Sequence, residues 1–178
     1  MIRTDRTHWI LALSILLLFA CATPPQAFLH RAHRQNYALQ PEELRKAHYY
    51  VSDQIPAHEL SEDGSATRPD QVLLLEPETP GALTDAGPNW LRVAFGNGPG
   101  VLFVALPEAR PDSVYQIASD PEPGQEPRRV RDIPDRTATV GKRRFKLITG
   151  AETRLLIDSE ALGKMIESRP KAGGRSPD

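Results

Sequence analysis

Arg128, Arg129 and Arg131 fall within the Pro-rich stretch Pro121–Pro134, and Lys142, Arg143, Arg144 and Lys146 follow a few residues later. Clustered guanidinium and ammonium groups attract phosphates and carboxylates, so these side chains predict a patch for anionic lipid headgroups or another acidic polymer. Glu122, Glu126, Asp132 and Asp135 interleave with them. A solvated, salt-bridged surface is therefore the plainer alternative.

Other residues of chemical interest lead to weaker readings. His30 and His33 have a spacing that a metal can use, but a site wants three or four preorganised ligands, and none is expected here. His58-Glu59 lacks the second histidine of a zincin helix. The Gly-x-Ser-x-Gly elbow that exposes a nucleophilic serine on a strained turn is absent. Gly96-x-Gly98-x-Gly100 lies between two strand-like runs with Pro99 in one gap. A phosphate cradle needs a helix N-terminus after it, so this is a hairpin. One cysteine, Cys21, makes neither an internal disulfide nor a multi-cysteine zinc site. The expectation is a non-catalytic protein with no cofactor and no metal.

Composition agrees with a folded domain. The chain has 178 residues, 39% hydrophobic and 25% charged, within the range of globular proteins. Its 17 prolines favour turns and sheet edges over helices, because proline lacks a donor and has a fixed φ. Lys and Arg total 22 against 23 for Asp and Glu. That balance lacks the basic excess of a nucleic-acid binder, and no nucleic-acid partner is expected.

The first twenty residues have an address rather than a fold. Arg3 and Arg6 form a positive start, Trp9–Ala20 is apolar apart from Ser14, and Pro24-Pro25 stop any helix soon after. The run is too short to span a bilayer, which takes about 20 residues. Leu18-Phe19-Ala20-Cys21 resembles the lipobox of bacterial lipoprotein signals, although Phe19 is bulkier than the residue usual there. The resemblance implies that lipid is attached to Cys21 and that cleavage makes this cysteine the new N-terminus. Ala22 rather than Asp after it implies the outer membrane, facing the periplasm. An ordinary signal peptide with an incidental cysteine is the alternative.

The elements that would position the candidate residues follow from periodicity. Residues 21–40 read as a polar, lipidated tether. Pro41-Glu42-Glu43 reads as a helix start, with Leu44, Ala47, Val51 and Ile55 on one face, Tyr49 and Tyr50 beside it, and Pro56 as the stop. Strand-like runs follow at Gln71–Glu76, Trp90–Gly96, Gly100–Leu106, Ser113–Ala118, Arg143–Thr149 and Thr153–Asp158, with turns at Pro80-Gly81, Gly141-Lys142 and Gly150-Ala151. Short strands in series predict a mainly β fold, a small antiparallel SH3-like barrel or sandwich preceded by a short amphipathic helix. The domain then spans residues 41–158. Residues 159–178 read as a largely disordered tail, in which Ser159–Glu167 has the makings of a helical turn.

Tyr37-Ala38-Leu39-Gln40-Pro41-Glu42-Glu43-Leu44, followed by Tyr49-Tyr50-Val51-Ser52-Asp53-Gln54-Ile55, resembles the opening of a group of uncharacterised bacterial lipoproteins. The likeness spans roughly 37 to 158, and its motifs are structural. It implies a membrane-anchored interaction or structural module of the cell envelope, with the membrane and another envelope protein as partners. Direct binding of an anionic envelope component through the basic hairpin is the alternative.

Overall fold

The computed structural model describes residues 24–61, 64–65, 72–96, 100–106 and 113–169. Cys21, the signal segment, the Asn97–Pro99 part of the Gly-rich hairpin and residues 170–178 lie outside them.

Chain order runs through β1 (Gln26–Phe28), α1 (Arg31–Asn36), α2 (Pro41–Leu44), β2 (His48–Val51), β3 (Ile55–Leu60), β4 (Val72–Leu75), β5 (Gly81–Ala86) and β6 (Trp90–Phe95). It continues with β7 (Val101–Val104), β8 (Gln116–Ser119), β9 (Arg128–Arg129), a 3-10 turn at Val130–Asp132, β10 (Thr137–Val140), β11 (Arg143–Leu147), β12 (Leu155–Asp158) and α3 (Ser159–Glu167). The fold is mainly β and antiparallel, as the strand periodicity predicts. All six strand-like runs contain a strand.

One eight-stranded sheet has the order β1-β12-β2-β5-β6-β7-β8-β9, and a four-stranded sheet has the order β10-β11-β3-β4. The large sheet curls until β8 returns to the β12 side. Ile117 N–H donates to the Thr153 carbonyl at 3.0 Å, and Leu155 N–H donates to the Tyr115 carbonyl at 2.8 Å. These bonds satisfy backbone groups that an open edge would leave bare. The small sheet joins the curl where Asp120 N–H donates to the Thr139 carbonyl at 2.9 Å.

Side-chain alternation explains which faces are covered. Leu91 and Val93 of β6 are fully buried, while Arg92 between them and Ala94 after them are partly exposed. Strand β7 is buried throughout. Val101 and Phe103 join the main core, whereas Leu102 and Val104 pack with Ala118, Trp90 and Leu106 on the other face. A central strand covered on both sides must read as a continuous apolar run.

Three expectations are corrected. The amphipathic helix over 41–55 shrinks to the four residues of α2, after which the chain turns and runs through β2 into β3. Leu44, Ala47, Val51 and Ile55 are all buried, but from a helix, a turn and two strands. Tyr49, Tyr50 and Val51 favour an extended chain, and β2 lies between β12 and β5, so burial on both faces mimics helical spacing. Pro56 stops nothing; it sits in β3 at a register shift, where a strand tolerates proline.

The tether over 21–40 is largely structured. Strand β1 pairs with β12 through Gln26↔Asp158 and Phe28↔Leu156, Leu29 is fully buried, and α1 follows. The tail reading of 159–178 is likewise overturned for its first half. Asp158 caps α3 by accepting from Glu160 N–H at 2.9 Å and Ala161 N–H at 3.1 Å. Leu162 is buried, with Ala161, Met165 and Ile166 packed on the core. The amphipathic helix of this protein therefore follows the strands instead of preceding them.

Candidate functional site

The basic residues are divided between the two sheets. Arg128 and Arg129 form β9, which pairs with β8 at the edge of the large sheet. Arg143, Arg144 and Lys146 lie on β11 in the small sheet, with Lys142 in the two-residue turn before it.

Most of the arginines have partners. Arg129 Nε donates to Asp132 Oδ2 at 2.7 Å, and Arg128 Nη2 donates to the Asp132 carbonyl at 3.2 Å. Arg131 lies 3.6 Å from Asp132 and 3.7 Å from Glu152. Arg143 lies 3.7 Å from Glu59, with its guanidinium over the Phe145 ring. That part of the expected patch is the salt-bridged surface. Among the described residues, Lys142, Arg144 and Lys146 have no carboxylate partner.

Strand alternation places Arg144 and Lys146 on the exposed face of β11, opposite the buried Phe145 and Leu147. Lys146 stands across from Thr137 on one side and His58 on the other; Arg144 stands across from Thr139 and Leu60. Below Lys146 opens a groove of about 700 Å³, lined by His58, Leu60, Gly64, Pro134, Asp135, Arg136, Lys146, Leu147 and Ile148. A second, of about 780 Å³, runs along Asp53, Gln54, Arg131, Asp132, Arg136 and Thr149–Thr153. Arg136 lines both.

Arg136 escapes a sequence reading drawn to runs of like charge, because it stands alone between the two clusters. Its backbone is left-handed, with φ of 49°, a conformation costing a non-glycine residue on the order of 1 kcal/mol. Two bonds hold it there: its N–H donates to the Ile133 carbonyl at 2.9 Å, and its own carbonyl accepts from Leu147 N–H at 3.0 Å. The second places Arg136 against the residue that follows Lys146. No ion pair engages its guanidinium among the described residues.

Among the described residues, two buried polar atoms along these grooves lack hydrogen-bond partners, His58 Nδ1 and Thr153 Oγ1. Such groups cost about 1–3 kcal/mol each. The arrangement of exposed cations around a partly apolar trough can hold an anion by charge and hydrogen bonding.

A third polar cluster closes one end of the curled sheet. Arg34 of α1 donates through Nη1 to Tyr115 Oη at 2.9 Å and to the Gly87 carbonyl at 3.0 Å, with its guanidinium 5.9 Å from the Tyr115 ring centre. Burial raises the Tyr115 phenol above its ordinary pKa, partly offset by the Arg34 charge. Sequence gave no signal for this pairing, since 81 positions separate the two residues.

His30 and His33 meet edge to face with ring centres 5.2 Å apart. The His33 pKa is lowered, first by burial and then by His30. His33 Nδ1 accepts from His30 N–H at 3.4 Å, so the pair begins α1. No group of three metal-ligating side chains occurs among the described residues. One Ser-x-x-Lys spacing, Ser168 to Lys171, lies past α3. There Ser168 Oγ donates to the Met165 carbonyl at 2.9 Å, and Lys171 falls outside the described residues.

Comparison with known proteins returned nothing: no family model, no curated protein and no solved structure matches this chain. No helix among the described residues is long and apolar enough to cross a membrane.

Proposed function

We propose that this chain is a lipid-anchored protein of the bacterial cell envelope, whose β domain acts as a non-catalytic docking module against another envelope protein. The supporting observation is how soon the fold begins after Cys21. Gln26, five positions later, is already paired in β1. At about 3.3–3.6 Å per extended residue, that linker reaches less than about 20 Å. A lipid on Cys21 would hold the domain against the headgroups rather than on a long tether.

Phe28 adds to this reading. It is the large hydrophobic side chain left exposed among the described residues, at 40%, and it lies seven positions from Cys21. Arg154 stands over its ring at 5.4 Å. An aromatic side chain beside a cation suits the boundary between headgroups and acyl chains. Outer-membrane attachment facing the periplasm follows from Ala22 under the same reading.

Metabolic labelling with a fatty acid tests the anchor. The native chain should be tagged and sediment with membranes, and Cys21→Ser should lose both properties. A tag that persists in Cys21→Ser removes the proposal.

A second reading, binding of an anionic envelope component, is favoured by Lys142, Arg144 and Lys146, which have no neutralising partner among the described residues. Charge reversal at Arg144 and Lys146 should weaken salt-sensitive binding of anionic vesicles. Unchanged binding removes this reading.

A further inference from the structure

We infer that the groove between His58, Lys146 and Arg136 is a binding site for a phosphate group that bears an alkyl chain. The inference rests on the anion-binding reading above and moves its centre from the hairpin tip to the groove beneath it.

Three donor-bearing side chains come to this groove from three separate segments: His58 from β3, Lys146 from β11 and Arg136 from the loop before β10. Lys146 and His58 are direct cross-strand partners, which brings neighbouring side chains within reach of one ligand. Arg136 is held beside them by the bond from Leu147 N–H to its carbonyl. A tetrahedral phosphate offers acceptor oxygens in several directions, matching donors that arrive from different sides, whereas a carboxylate offers a planar pair.

The remaining walls explain the alkyl chain. Leu60, Pro134, Leu147 and Ile148 also line the groove. Apolar walls lower the local dielectric and strengthen the attraction of a bound anion to Lys146 and Arg136. Asp135, the one carboxylate among the described lining residues, repels an anion in proportion to its charge, so Lys146 and Arg136 together must outweigh it.

Two features fit a site better than a passive surface. Arg136 keeps a left-handed backbone that glycine would adopt without strain. Strain of this kind collects where function demands a particular side chain. His58 Nδ1 is buried with no hydrogen-bond partner among the described residues, an unmet polar group worth about 1–3 kcal/mol beside the groove.

The test uses the full chain carrying Cys21→Ser, titrated calorimetrically with inorganic phosphate, hexyl phosphate and vesicles containing phosphatidylglycerol. Hexyl phosphate should bind about tenfold more tightly than inorganic phosphate, as expected from burial of about two CH₂ groups. Arg136→Gly should weaken hexyl phosphate by about tenfold or more while the unfolding midpoint holds or rises, because strain is removed with the side chain. Lys146→Gln should weaken it similarly, and Lys142→Gln should leave it unchanged. Binding to vesicles but not to hexyl phosphate overturns the groove and leaves surface attraction to lipid as the explanation. Binding that survives Arg136→Gly but falls with Lys142→Gln overturns the groove while the hairpin reading stands. No binding to any of the three probes overturns both.

Discussion

Arg92 Nη1 and Asp120 Oδ1 meet at 2.8 Å on the outer face of the curled sheet. Arg92 lies on β6 and Asp120 just past β8, so the pair reaches across β7. The contact is ionic rather than well directed, for Asp120 Oδ1 receives no aligned hydrogen bond among the described residues. The other carboxylate oxygen accepts from Gly141 N–H at 2.7 Å, and Arg92 Nη1 also donates to the Gly100 carbonyl at 3.1 Å. One aspartate thereby ties the large sheet to the β10–β11 turn of the small one.

Removing that tie should loosen both sheets. Asp120→Ala leaves Arg92 without its counter-ion and Gly141 without its acceptor, and should cost about 2–3 kcal/mol. Urea denaturation checks the magnitude. A loss below about 0.5 kcal/mol would mean that packing and the Asp120–Thr139 backbone bond hold the sheets together without the carboxylate.

Gly81 opens β5 opposite Phe95 and Tyr49. A Cβ there would stand 2.6 Å from Val93 Cγ1 and 2.7 Å from Phe95 Cε1. Gly81→Val should therefore destabilise the fold by about 2 kcal/mol or more through overpacking. Thermal unfolding with Phe95→Ala as a second change checks the cause, because shrinking the facing ring should recover part of the loss.

Alkali should unfold the protein through its buried phenols. Burial raises the pKa of both Tyr49 and Tyr115. Folded phenols thus keep their protons where unfolded ones, with pKa near 10, release theirs. The stability contributed is fully present below about pH 10 and is lost as pH rises from there through the folded values. Unfolding midpoints measured between neutral pH and about pH 11 should fall in that upper range. Tyr49→Phe should flatten the fall, while losing the 2.8 Å bond from Tyr49 Oη to the Leu44 carbonyl.

Asp158 should govern α3. Asp158→Ala removes the acceptor for the first free amides of the helix and should cost about 1 kcal/mol. Hydrogen exchange at Glu160 and Ala161 should accelerate. The clasp of Arg169 onto Glu43 at 2.7 Å and onto the Ala38 carbonyl at 2.8 Å should weaken with it.

Local pattern alone determined the strand-rich character of this protein. Buried Leu91 and Val93 alternate with the less buried Trp90, Arg92 and Ala94, Val101–Val104 is uniformly apolar, and Gly141-Lys142 makes a two-residue turn; each of these acts within a few residues. The same local sight failed at residues 41–55, where helical spacing and double-sided strand burial produce the same apolar positions. It failed again at β1 and β9, whose strands are too short to show alternation and exist because β12 and β8 lie beside them.

Only the tertiary structure decided what pairs with what. Return of β8 toward β12, the Arg34–Tyr115 bond and the meeting of His58, Lys146 and Arg136 join segments far apart in the chain. The partner in each case is set by strand pairing and packing between distant segments, which no local pattern can specify. Charge in the sequence announced a cationic surface, but folding set Arg129, Arg131 and Arg143 against carboxylates and placed Lys146 and Arg136 along a groove that no run of like residues marked.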